Sequence, residues 1–80
     1  MNDMAKDCTL HRMFCQRVIE RRKELGLTQA QVSNRLGISQ PAYAQIESGK
    51  SCPSLDVVER VATALECTGS ELLQTIVVAA

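Results

Sequence analysis

An all-α fold of five helices is the architecture this chain predicts, and three observations carry that prediction. Apolar residues recur three and four apart rather than alternating. Two threonine-led capping boxes, Thr28-Gln-Ala-Gln31 and Thr68-Gly-Ser-Glu71, mark helix starts. Gly26, Gly37 and Gly49 fall where a helical pattern gives out. No strand-like alternation, repeat or linker tract interrupts the series, so the 80 residues read as one small domain. Residues 1–9, which have no clear period, are expected to form a flexible arm, and 10–80 the domain.

From about Leu10 the spacing turns helical, with Phe14, Val18 and Leu25 on one face. Gly26 followed by apolar Leu27 reads as a Schellman stop. The second helix, about 28–36, is capped by Thr28 with Gln31 at N3, and Val32 and Leu36 share its inner face. Gly37 supplies the left-handed residue for a sharp exit. Ile38 plugs the corner. The third helix, about 39–48, starts on Ser39 as N-cap. Pro41 in its first turn forfeits no hydrogen bond. Tyr43 and Ile46 point inward, and Gly49 ends it. After a loop from Lys50 to Pro53, Ser54 caps a fourth helix with Leu55, Val58, Ala62 and Leu65 as its apolar stripe. Thr68 opens a fifth, with Leu72, Leu73 and Ile76 inward.

Composition narrows the function. A chain this short buries only about 60% of its unfolded surface, so association with a second copy would help it. Apolar residues make up 45%, but with one Phe, one Tyr and no Trp the packing is aliphatic. Formal net charge is zero, with nine basic and nine acidic residues, which argues against an indiscriminate nucleic-acid coat. Residues 1–27 carry six basic against four acidic side chains, whereas residues 52–80 carry Arg60 against four acids. That asymmetry suits one phosphate-facing side, or else reflects solvated helix faces. No apolar run approaches the ~18 residues of a membrane span. The amino terminus lacks signal-peptide order, so a cytoplasmic protein is expected.

Cys8, Cys15, Cys52 and Cys67 form no C-x-x-C pair, and His11 is the sole histidine, so no metal site is expected. Cys8 and Cys15, seven apart, would share a helix face if the first helix starts early enough. Structural thiols, redox sensing and metal binding stay open in that order. With one histidine, no nucleophile–base constellation and no glycine-rich phosphate loop, neither an enzyme nor a cofactor is expected.

The stretch Thr28–Lys50, two short helices at a tight turn, has the form of a DNA-reading helix-turn-helix. It resembles the Cro and phage-repressor type, the XRE family. The resemblance rests on Ser33 as the small residue of the first helix of the pair, Gly37 in the turn, and Val32, Leu36, Ile38, Tyr43 and Ile46 inward. Ile46-Glu47-Ser48-Gly49-Lys50 matches the family's ending, and Pro53–Asp56, Ala64-Leu65 and Glu71–Leu73 resemble its last two helices. It covers roughly residues 13–74 and implies a compact lambda-repressor-like domain. One departure stands out. The family usually has glycine where this chain has Glu66, so that corner is expected to be built differently.

The third helix is the candidate reader of double-stranded DNA. Gln40 at its outward amino end can donate and accept, matching adenine N6 and N7, and Gln45 a turn later could reach a further base. Pro41 and Ala42 offer apolar contact to a thymine methyl. Thr28, Ser48 and Lys50 flank the reader as candidate phosphate contacts, with Arg17, Arg21 and Lys23 more remote. The resemblance implies that Gln29 binds a phosphate and also Gln40. It implies an ion pair between Arg22 and Glu47 that orients the reading helix.

The function expected is a sequence-specific transcriptional regulator, a repressor, binding an inverted repeat as a homodimer with readers about 34 Å apart. The tail Thr75–Ala80 is apolar, which marks a dimer interface or a fifth helix packing back on the core. The alternative is an antitoxin or adaptor of the same fold that binds a partner protein.

Overall fold

A computed structural model describes residues 8–73 of the chain. Within them lie five helices and no strand: α1 (Thr9–Glu24), α2 (Gln29–Leu36), α3 (Gln40–Ser48), α4 (Leu55–Ala64) and α5 (Gly69–Leu72). Most of the expected flexible arm, Ile76 and the apolar tail lie outside the described residues.

Local signals explain the boundaries. Thr28 and Thr68 each close a reciprocal capping box, with Gln31 and Glu71 reaching back to the cap N–H. Ser39 and Ser54 accept single bonds from Ala42 and Val57. Pro41 sits in the first turn of α3. α1 starts with Cys8 as N-cap and no side-chain cap bond. At Gly37 (φ 73°) the turn is a Schellman motif: Gly37 N–H donates to Asn34 O and Ile38 N–H to Ser33 O.

The helices enclose an aliphatic core of Phe14, Val18, Val32, Leu36, Ile46, Val61, Ala62, Leu65 and Leu72 around the Tyr43 ring. Ser33 is buried too, its hydroxyl donating to Ala30 O at 2.8 Å. At roughly 1.5–3 kcal/mol for each fully buried aliphatic side chain, these residues hold the helices together.

Two expectations are corrected. Leu55 is 83% exposed and takes no part in the core; Val61, fully buried, replaces it on the inner stripe of α4. Leu55 is the first residue of α4, and the face that meets the core runs through Val58, Val61, Ala62 and Leu65.

The second concerns Glu66. This corner is not built differently: Glu66 has φ 60°, and its N–H donates to Thr63 O while Cys67 N–H donates to Ala62 O. The Schellman geometry is kept with a side chain in the left-handed region, at a cost of roughly 1 kcal/mol. Two arginines meet the strained residue. Arg21 donates to Leu65 O (3.0 Å) and Glu66 O (3.2 Å), and Arg35 to Ala64 O (2.9 Å) and Glu66 Oε2 (3.0 Å).

Candidate nucleic-acid interface

The capping box of α2 and the tight turn at Gly37 bring the first residue of α2 beside the first residue of α3. There the Gln40 Nε2 amide donates to Gln29 Oε1 at 2.7 Å. Gln29 Nε2 in turn donates to Glu47 Oε1 at 2.9 Å. Glu47 also accepts from Arg22: Nε to Oε2 at 2.6 Å and Nη2 to Oε1 at 3.2 Å. Arg22 Nη1 donates to Leu27 O at 2.9 Å, tying α1 to the residue just before the α2 cap. The result is one hydrogen-bonded chain, Arg22–Glu47–Gln29–Gln40, running from α1 through the foot of α3 to its exposed amino end.

The direction of this chain follows from chemistry. An ionised carboxylate only accepts. Gln29 must therefore present its NH₂ to Glu47 and its carbonyl oxygen to Gln40, which leaves Gln40 to donate. One N–H and the carbonyl oxygen of the exposed Gln40 stay unused by the chain, as does one N–H of the half-buried Gln29.

The inner end is buried, the Glu47 side chain 4% and the Arg22 side chain 14% exposed. Burial by itself would raise the Glu47 carboxyl. The Arg22 guanidinium, the Tyr43 hydroxyl and the Gln29 amide outweigh it and hold that carboxyl below its ordinary range. The Tyr43 hydroxyl lies buried against the pair without a well-formed hydrogen bond of its own. Burial and then the Glu47 carboxylate push the phenol far above its usual value.

The outer face of α3 is exposed at Gln40, Pro41, Ala42 and Gln45. α3 has no basic residue in its last turn. The Ser48 hydroxyl is occupied locally, donating to Gln45 O (3.2 Å) and accepting from Lys50 N–H (3.4 Å). Thr28 uses its hydroxyl oxygen as the α2 cap. Lys23 stands beside Glu47, Ser48 and Gly49 on the wall of a shallow surface hollow. Neither Lys23 nor Lys50 has an ion-pair partner among the described residues.

The arginines of α1 are placed otherwise. Arg17 lies 3.5 Å from Glu20 and 3.6 Å from Glu24, and Arg21 lies 3.3 Å from Glu24 while holding the end of α4. Much of the positive charge of the amino half is thus spent inside the fold. The Gln29–Glu47 bond escaped the sequence reading, because nothing in the spacing of eighteen residues marks it. Arg35 on Glu66 escaped as well, although the missing glycine marked the place.

No helix among the described residues is long and apolar enough to cross a membrane, and no group of three or more metal-ligating side chains is assembled there.

The sequence model described as Helix-turn-helix matches residues 18–72. The chain is 37% identical over 57 residues to the cryptic phage CTXphi transcriptional repressor RstR of Vibrio cholerae, covering 71% of this chain and 51% of that protein. It is 44% identical over 46 residues to an uncharacterized HTH-type transcriptional regulator of Methanothermobacter thermautotrophicus, covering 58% of this chain and 67% of that one. The chain therefore spans about half the length of the first relative and two thirds of the second.

Proposed function

The chain belongs to the Helix-turn-helix family, of the XRE type, and from that premise we propose that it is a DNA-binding transcriptional regulator, not an enzyme. α3 enters the major groove and Gln40 is its principal reader. One observation carries the reading, the hydrogen-bonded chain from Arg22 to Gln40. It presents Gln40 with one N–H and one oxygen free, the pair that matches adenine, whose N7 accepts from the N–H while its N6–H donates to the oxygen. A carboxamide held in this way loses little side-chain freedom on binding.

Pro41 and Ala42 pack against thymine methyl groups, and Gln45 reads one turn further along. The spare Gln29 N–H, Thr28, Lys50 and Lys23 bind phosphates, helped by the amino-terminal dipoles of α2 and α3. Ser48 and Arg17 join only by giving up bonds they already make. With no arginine on the reading face, affinity rests on doubling the domain. Two copies bind an inverted repeat, associate through the apolar segment 75–80, and repress by covering the promoter. The name of RstR, a transcriptional repressor, supports the repressor part of this reading.

Footprinting upstream of the chain's own gene should reveal a protected inverted repeat. On that site, Gln40→Ala should weaken binding by about 1–3 kcal/mol while the melting temperature stays put. Unchanged affinity in an anisotropy titration would remove Gln40 from the reading role.

A further inference from the structure

The loop after the reading helix lies along one face of α1, in antiparallel register. A Cβ built on Gly49 would stand 3.7 Å from Cys15 Sγ. Two residues on, His11 Nε2 lies 3.2 Å from Ser51 O, and since a carbonyl only accepts, the ring N–H donates. One turn further toward the amino end of α1, Cys8 and Cys52 line the same small apolar cavity of ≈ 140 Å³, together with His11, Phe14 and Pro53. Both thiols are exposed, whereas Cys15 is buried and Cys67 partly so. Burial raises the Cys15 and Cys67 thiols, which keeps them protonated and poorly nucleophilic. Cys15 also donates its S–H to Ile46 O at 3.3 Å.

We propose that Cys8 and Cys52 form an oxidisable dithiol that closes into an intramolecular disulfide when the protein meets a peroxide. One thiolate attacks a peroxide oxygen: an S–O bond forms, the O–O bond breaks, and hydroxide leaves, taking up a proton to become water. The second thiolate then attacks the sulfenic sulfur. The S–S bond forms, the S–O bond breaks, and a second water departs with the remaining proton. Two electrons pass from the sulfur pair to the peroxide. The bond would fasten the loop bearing Lys50 to the first turn of α1, where the His11 hydrogen bond already holds its neighbour. It would close a chain segment of roughly forty-five residues, long enough for strong stabilisation by a cross-link.

The test treats the full chain with hydrogen peroxide and then with dithiothreitol, reading intact mass, non-reducing peptide maps and melting temperature. Expected are a mass lower by two hydrogens, a linked peptide joining Cys8 to Cys52, and a melting point raised by at least about 5 °C. Reductant should reverse all three. Cys8→Ala, which adds no cap oxygen at the α1 N-cap, and Cys52→Ser should melt like the reduced wild type and show no upward shift under peroxide. That comparison separates a lost bond from a damaged fold. A link between any other pair, cross-linked dimers, or separate oxygen addition at each thiol would overturn the proposal.

Discussion

Arg21 and Arg22 are neighbours in sequence and serve opposite ends of the molecule. Arg22 turns toward the foot of the reading helix and forms a charge pair with Glu47 in the interior. Arg21, about 100° further round α1, turns toward the end of α4 and donates to the carbonyls of Leu65 and Glu66. One clamp joins a buried carboxylate to a half-buried guanidinium and continues to the exposed amino end of α3, the proposed DNA-facing surface. The other meets two backbone carbonyls and the exposed Glu24 carboxylate, with its side chain 26% exposed, and runs on only to Arg17 on the surface of α1. Like residues on one helix are thus set to unlike tasks by what lies opposite them. Their substitution should separate reading from folding.

The largest effect is expected at Arg22. Arg22→Ala would leave the Glu47 carboxylate buried and unpaired, a loss of about 3–5 kcal/mol. It would also free Gln29 and Gln40 to reorient, so DNA affinity should fall even in protein held well below its melting point. Urea denaturation and anisotropy together check both parts. Unaltered stability would mean that the pair with Glu47 carries no weight.

Arg21→Ala should act on stability alone. Hydrogen bonds from a charged donor contribute about 1.5–3 kcal/mol when buried. The Arg21 side chain is partly exposed, and water takes over some of what it leaves, so about 1–2 kcal/mol is the expected loss. Operator affinity of the folded variant should match the wild type. A joint loss of binding would show that the end of α4 is coupled to the reader after all.

The two clamps differ also in how legible they were. Caps, glycine stops and apolar spacing placed the five helices, because each signal acts within a turn or two of chain. The exposed residues of α3, proposed as the reading face, could be named from the same local pattern. Of the bonds that join them, the family resemblance implied Arg22–Glu47 and Gln29–Gln40, and nothing implied the link between the two. The Gln29–Glu47 bond depends on how two helices cross, and the release of Leu55 from the core depends on where α4 begins against its neighbours. The corner at Glu66 failed for another reason. The missing glycine marked the place, but the arginines that meet Glu66 come from α1 and from α2, far off in sequence.

That corner yields the smallest effect and the sharpest sign. Glu66→Gly removes a left-handed strain of roughly 1 kcal/mol and with it the exposed ion pair to Arg35, worth no more than about 1 kcal/mol and often nothing. Greater freedom of glycine in the unfolded chain takes back part of the gain. The carbonyls that Arg21 and Arg35 hold belong to the backbone and survive the change. A net stabilisation of about 0.5 kcal/mol is therefore expected. Glu66→Ala, which keeps the strain and loses the pair, should be destabilised by a similar amount. If glycine and alanine at this position prove equally stable in denaturant titrations, the strain is not what the two arginines offset, and the Arg21 clamp would have to be explained by helix-end charge alone.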